Sequence, residues 1–393
     1  MTPRIDVTAL LDAAAEQTGL SYRSDDFVEA LTRFAASVDR EGNLSDPAME
    51  GFGQDITRLL TNRLVIDEAV ATHPEILEED VGDPIVITGL PRTGTTKLQK
   101  MLASAPGYQK LPLWQALFPA PIAPPGTDPD PRVTITDEQA AVMFEMAPDF
   151  MAAHPMRTHE PEEEVLLLQL SFRTPANSWF YRCPTFLDWV EQQQNQSPAY
   201  ADLRRVLQFL QWQDGGRQGR PWVLKSPIHL GELPALFGDF PHATVVHCHR
   251  NLHEAVPSLA RLLELIQLSR GATSVDLPEL GAFLTNYCAA QWDRNIAARF
   301  TWPQQVIDVN YIDIRDDAGS LVDLIHDRRG VGLDPQVRAE MLQWQDANPP
   351  HRFGKHVYSL ERYALSANDI DRAFAGYLSH FEPILKADQY ETA

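Results

Sequence analysis

The chain has 393 residues, 44% hydrophobic and 22% charged, a globular balance with room for one large α/β domain or two smaller ones. Its net charge of −21 weighs against nucleic acid or an anionic membrane surface as a partner, and no apolar run approaches the ~20 residues of a membrane span. Met1 to Asp6 lack the pattern of a secretion signal, and Cys183, Cys248 and Cys288 are too scattered for a disulfide framework or a metal site, so a reduced, cytoplasmic protein is expected.

Residues 1 to about 80 repeat apolar side chains at spacings of three and four (Phe27, Leu31, Phe34; Ile56, Leu59, Leu60, Leu64), which predicts a helical N-terminal cap. Residues 81–393 then form the main domain. Pro84 to Gly89 reads as a buried strand that ends in glycine, and Thr95 to Ala105 as the helix after it. Residues 112–131 are rich in proline and are expected to form an ordered surface loop. Helical insertions follow at about 137–215 and 254–300, the first of them carrying Phe144, Phe150, Met151, Phe172, Trp179 and Tyr181. These residues fit either an apolar acceptor pocket or plain helical core. Further strands are predicted at Trp222–Leu224, Thr244–His247 and Gln305–Val309. The fold class expected is α/β, a P-loop-like parallel sheet flanked by helices.

The segment Gly89-Leu90-Pro91-Arg92-Thr93-Gly94-Thr95-Thr96 carries the chemistry. Glycines five apart let the backbone curl until its N–H groups face an anion, and the helix behind adds partial positive charge. Thr95 and Thr96 offer hydroxyls, and Arg92 offers a guanidinium fork. A nucleoside triphosphatase needs lysine where Thr95 stands, and a magnesium-holding carboxylate at a strand end. Asp308 lies inside its strand instead. A magnesium-dependent kinase is therefore the weaker reading, and a non-catalytic nucleotide-binding protein is the other alternative.

Leu90 to Thr96 resembles the 5′-phosphosulfate loop of sulfotransferases that use 3′-phosphoadenosine 5′-phosphosulfate (PAPS), with Arg92 at the position that stabilises the leaving phosphate. Tyrosylprotein sulfotransferases also carry arginine there, and the chain resembles bacterial sulfotransferases related to that group. Arg250 follows a strand and Ser258 comes eight residues later, which is similar to that family's 3′-phosphate site. About two helical turns return the hydroxyl toward the guanidinium. Tyr311-Ile312-Asp313-Ile314 resembles the stretch whose tyrosine approaches the adenine; a core tyrosine is the other reading. Arg352-Phe353-Gly354-Lys355 is similar to a late basic loop over the 3′-phosphate, or is a solvated turn. The resemblance implies PAPS as cofactor and 3′-phosphoadenosine 5′-phosphate as its product. It requires no metal, because side-chain cations neutralise the transferring group.

Sulfuryl transfer to a hydroxyl also needs a base. Lys225 aligns with the family's lysine, but the position of its catalytic histidine falls on Pro227, which cannot take a proton. The glutamate used instead by the tyrosylprotein group has no counterpart near Leu111 to Trp114. Glu162 is the first candidate, then Glu163 and His154, with His229 an outsider; acidic residues before a helix are otherwise solvated caps. The acceptor is expected to be an apolar small molecule or lipid hydroxyl. Its identity and the oligomeric state stay open.

Overall fold

Runs of β-branched and aliphatic residues build the centre of the molecule. In the computed structural model, which describes residues 4–91, 93–124, 126–348 and 359–389, they form five parallel strands. These are β1 (Ile85–Thr88), β2 (Gln109–Lys110), β3 (Trp222–Lys225), β4 (Thr244–His249) and β5 (Val306–Asn310). Every residue of β1, β3 and β4 is buried, as expected of a parallel sheet covered on both faces. Arg92, Arg352 and Lys355 lie outside the described residues.

The chain divides into two compact units. The sheet unit comprises Gly82–Leu111, Gly219–Leu262 and Asp276–Ala393. Its strand order is β2-β3-β1-β4-β5, so β1 is central; the chain runs from it to the edge strand β2, returns to β3, then crosses to β4 and β5 on the other side. In such sheets ligands bind beyond the carboxyl ends of the strands, where the winding reverses. Register holds the relevant ends side by side: Ile87 pairs with Lys225, Thr88 with His247, and His249 with Asn310. One face packs Ile85, Ile87, Val223, Val246, Ile307 and Val309 against Leu98, Met101 and Leu102 of the helix Thr95–Leu102.

The helical unit comprises Met1–Val81, Pro112–Gln218 and Leu263–Val275. Its first three helices are Val7–Thr18, Val28–Glu41 and Asp46–Thr72. Asp6 caps the first by accepting from the Thr8 and Ala9 N–H groups, and Gly19 ends it in the left-handed conformation. Phe34, Phe52, Tyr181 and Phe186 pack ring against ring. Arg63 is buried over the Phe27 ring, held by Asp202 at 2.8 Å and Asp26 at 3.2 Å.

One expectation needs correction, and two further features stand out. The proline-rich stretch is not all loop, since Leu113–Leu117 is helical behind Pro112. β2 is a strand that its polar residues do not announce. Of the aromatic set, Phe150, Met151, Phe172, Trp179 and Tyr181 are buried core, whereas Phe144 is 63% exposed. Among the described residues no helix is long and apolar enough to cross a membrane.

Candidate active site

The turn after β1 is shaped by contacts that only its own residues can make. Gly89 has φ +145°, and a Cβ there would stand 2.5 Å from the Cys248 carbonyl oxygen, so glycine is what lets β1 leave the sheet beside β4. The Thr93 hydroxyl donates to the Leu90 carbonyl at 2.6 Å, closing the turn on itself. Thr93 is thus a residue that shapes the loop. Gly94 adopts φ +88° at the head of the helix Thr95–Leu102, whose first intrahelical bond runs from Leu98 N–H to the Gly94 carbonyl. The N–H groups of Thr95, Thr96 and Lys97 have no partner within that helix, the arrangement that receives anions. Thr95 is buried and Thr96 exposed. Lys97, passed over in the sequence, adds a half-buried ammonium at this turn; burial lowers its pKa, with Asp316 opposing and Arg315 adding to the shift.

Arg250 follows β4 directly, and Tyr311 follows β5 at the start of the helix Tyr311–Asp316. Asn310 caps that helix by accepting from Ile312 N–H at 2.8 Å, in a capping box with Asp313. The Arg250 guanidinium carbon lies 4.2 Å from the Tyr311 ring centroid. The same ring reaches the glycine turn, since a Cβ on Gly94 would meet Tyr311 Cδ2 at 3.2 Å. Gly94, Tyr311 and Arg250 therefore form one contiguous surface on three neighbouring strand ends. Glu254, four residues on, forms an ion pair with Arg250. Ser258 is buried within the helix Leu252–Ser269.

Lys225 closes β3 and is only 3% exposed. Ser226 then donates its N–H to the Ile87 carbonyl at 3.2 Å, and its hydroxyl accepts from Ile228 N–H at 3.3 Å. Pro227 opens the 3₁₀ turn Pro227–Gly231. His229, inside that turn, is fully buried.

The three leading base candidates, Glu162, Glu163 and His154, belong to the helical unit. Residues 112–114 pair with 158–161: Pro112 bridges Pro161, and the N–H groups of Leu113 and Trp114 donate to the carbonyls of Glu160 and Thr158. Glu162 follows that pairing. Its Oε1 accepts from the Glu163 N–H at 2.9 Å and lies 3.2 Å from His154 Nε2. His154 stacks on Phe150 with centroids 6.1 Å apart. Glu162 is 8% exposed and Glu164 fully buried, which overturns the reading of these carboxylates as solvated caps. Nothing local in the sequence announces that burial, because it depends on a pairing with residues some fifty positions earlier.

A sequence profile described as the sulfotransferase family matches residues 84–335, more than half of the chain. The chain belongs to the sulfotransferase family, enzymes that transfer a sulfuryl group. Two solved structures are similar over nearly the whole length. Sulfotransferase STF1 from Mycobacterium tuberculosis superposes with a TM-score of 0.81 at 28% identity, covering 96% of this chain and 100% of that one. Sulfotransferase STF9 from Mycobacterium avium gives a TM-score of 0.84 at 26% identity, covering 95% of this chain and 96% of that one. Comparison with curated proteins gives no match.

Proposed function

We propose that this enzyme takes the sulfuryl group from PAPS and gives it to a hydroxyl of an apolar small molecule or lipid in the cytoplasm. The observation that carries the reading is the row of candidates on consecutive strand ends: Lys225 on β3, the glycine turn on β1, Arg250 on β4 and Tyr311 on β5. The residues fit the donor. The N–H groups that start the helix Thr95–Leu102 and the Arg92 fork suit the 5′-phosphosulfate, and the absence of a Cβ at Gly94 leaves the turn open toward Tyr311. Arg250 and Ser258 suit the 3′-phosphate, Tyr311 would serve the adenine, and the basic side chains of Arg352 and Lys355 suit the same phosphate by their chemistry. Three free, buried cysteines support a reducing compartment.

PAPS supplies a sulfuryl group on a good leaving phosphate. With PAPS bound, Arg92 and Lys225 would be the cations that neutralise charge on the transferring group and the leaving oxygen. For the proton of the acceptor hydroxyl the chain's first candidate is Glu162, a buried carboxylate beside His154, with Glu163 next in rank.

The test is transfer of ³⁵S from labelled PAPS to a panel of sterols, long-chain alcohols and phenols. Wild type should label at least one class, and Lys225→Ala should lower the rate at saturating PAPS about a hundredfold. Tight PAPS binding with no labelled acceptor would favour a non-catalytic role, and transfer of phosphate from ATP would favour a kinase.

A further inference from the structure

Beneath the carboxyl ends of β4 and β5 lies a polar cluster that the transfer chemistry does not use. His247 and His249 of β4 are fully buried, and Asp308 of β5 joins them. His249 Nε2 is 3.0 Å from Asp308 Oδ1, and its Nδ1 is 3.1 Å from the Tyr377 hydroxyl. The other Asp308 oxygen accepts from the Arg299 guanidinium. His247 Nδ1 stands 3.7 Å from Asp308 Oδ1, too far for a hydrogen bond, while its Nε2 is 3.2 Å from the Asn295 amide nitrogen. Phe381 covers His249 with ring centroids 4.3 Å apart.

These contacts assign the protons. Asp308 only accepts, so His249 donates from Nε2, and Nδ1 accepts from the Tyr377 hydroxyl. Burial holds both imidazoles below their usual range. The cluster thus carries one cation, Arg299, and one anion, Asp308. Its three ligand-type atoms lie within 4.8 Å of one another, but the guanidinium already occupies the carboxylate and its charge opposes a metal ion there.

A buried ion pair adds little stability over apolar packing, and its best-attested use is to fix one arrangement. What this one fixes is visible in the chain. His249 is bonded directly to Arg250, its ladder partner Asn310 directly to Tyr311, and Asp308 lies two residues before Asn310. We infer that the His249–Asp308–Arg299 cluster is a positioning device, clamping the ends of β4 and β5 so that the Arg250 guanidinium stays over Tyr311 where it receives the 3′-phosphate. The inference rests on the reading of Arg250 as the 3′-phosphate ligand.

Calorimetry on the full chain tests it with two ligands, 3′-phosphoadenosine 5′-phosphate and AMP, which lacks the 3′-phosphate. Asp308→Asn keeps the shape and removes the charge. It should weaken the first ligand about tenfold and leave AMP within about twofold, and it should raise KM for PAPS far more than it lowers kcat. Equal losses for both ligands, or none, overturn the clamp while leaving the 3′-phosphate reading intact. Wild-type protein that binds the two ligands equally overturns that reading first, and the clamp with it. Should Asp308→Asn fail to fold, Tyr377→Phe removes only the hydroxyl on His249. It should lower the preference for the first ligand about threefold, and an unchanged preference contradicts the inference.

Discussion

At Gly89 and Gly94 the backbone is in the left-handed half of conformational space, yet the two glycines meet different neighbours. A Cβ on Gly89 strikes the Cys248 carbonyl, which the β1–β4 ladder holds in place. A Cβ on Gly94 meets side-chain tips, Ile314 Cδ1 at 3.0 Å and Tyr311 Cδ2 at 3.2 Å, which can yield. Gly89→Ala should therefore cost about 2–4 kcal/mol of stability, through strain plus a displaced strand end. Gly94→Ala should cost about 1–2 kcal/mol, from its left-handed backbone, while still pushing Tyr311 from its place. Urea unfolding of the two variants checks this. Equal losses would mean that the Cys248 carbonyl is not the constraint described.

At the scale of elements, the buried face of β4 sets how the fold responds to acid. Burial pushes the His247 imidazole down to about 4, against the electrostatic pull of Asp308. His249 and His326 are lowered by burial as well. An unfolded chain binds those protons near pH 6.5, so it holds more protons than the folded state between that value and about 4. Stability is thus fully present above pH 6.5 and is lost as the pH falls through that window, with His247 contributing on the order of 3 kcal/mol. Asp308 opposes no part of this. Burial raises its pKa, but the nearby His247 and the hydrogen bonds from His249 and Arg299 outweigh that and hold its carboxyl far below the usual range. Urea midpoints of wild type and His247→Gln between pH 7.5 and 4.5 measure the effect. The variant should show a shallower slope, and an identical slope would assign the loss to other groups.

At the scale of the whole molecule, what was legible in the sequence is what is local. β1, β3, β4 and β5 are short apolar runs, and the candidates at their ends stand next to them in the chain: Lys225, the glycine turn, Arg250 and Tyr311. What stayed hidden depends on distant partners. Gln109 and Lys110 form a strand only because Trp222 and Val223 offer them a ladder. Glu162 is buried only because 158–161 pair with 112–114. The clamp on Asp308 draws on Arg299, Tyr377 and His249 from separate elements. No periodicity records such meetings. The account as a whole stands on two anion sites, the glycine turn and Arg250, gripping both phosphorylated ends of one adenosine. The most direct measurement is calorimetric affinity for 3′-phosphoadenosine 5′-phosphate without magnesium, set against ATP with magnesium, in wild type and Arg250→Ala. The account predicts a wild-type preference of at least about a hundredfold for the former, largely lost in the variant. Tighter binding of ATP with magnesium, or an Arg250→Ala protein with wild-type affinity, would contradict it.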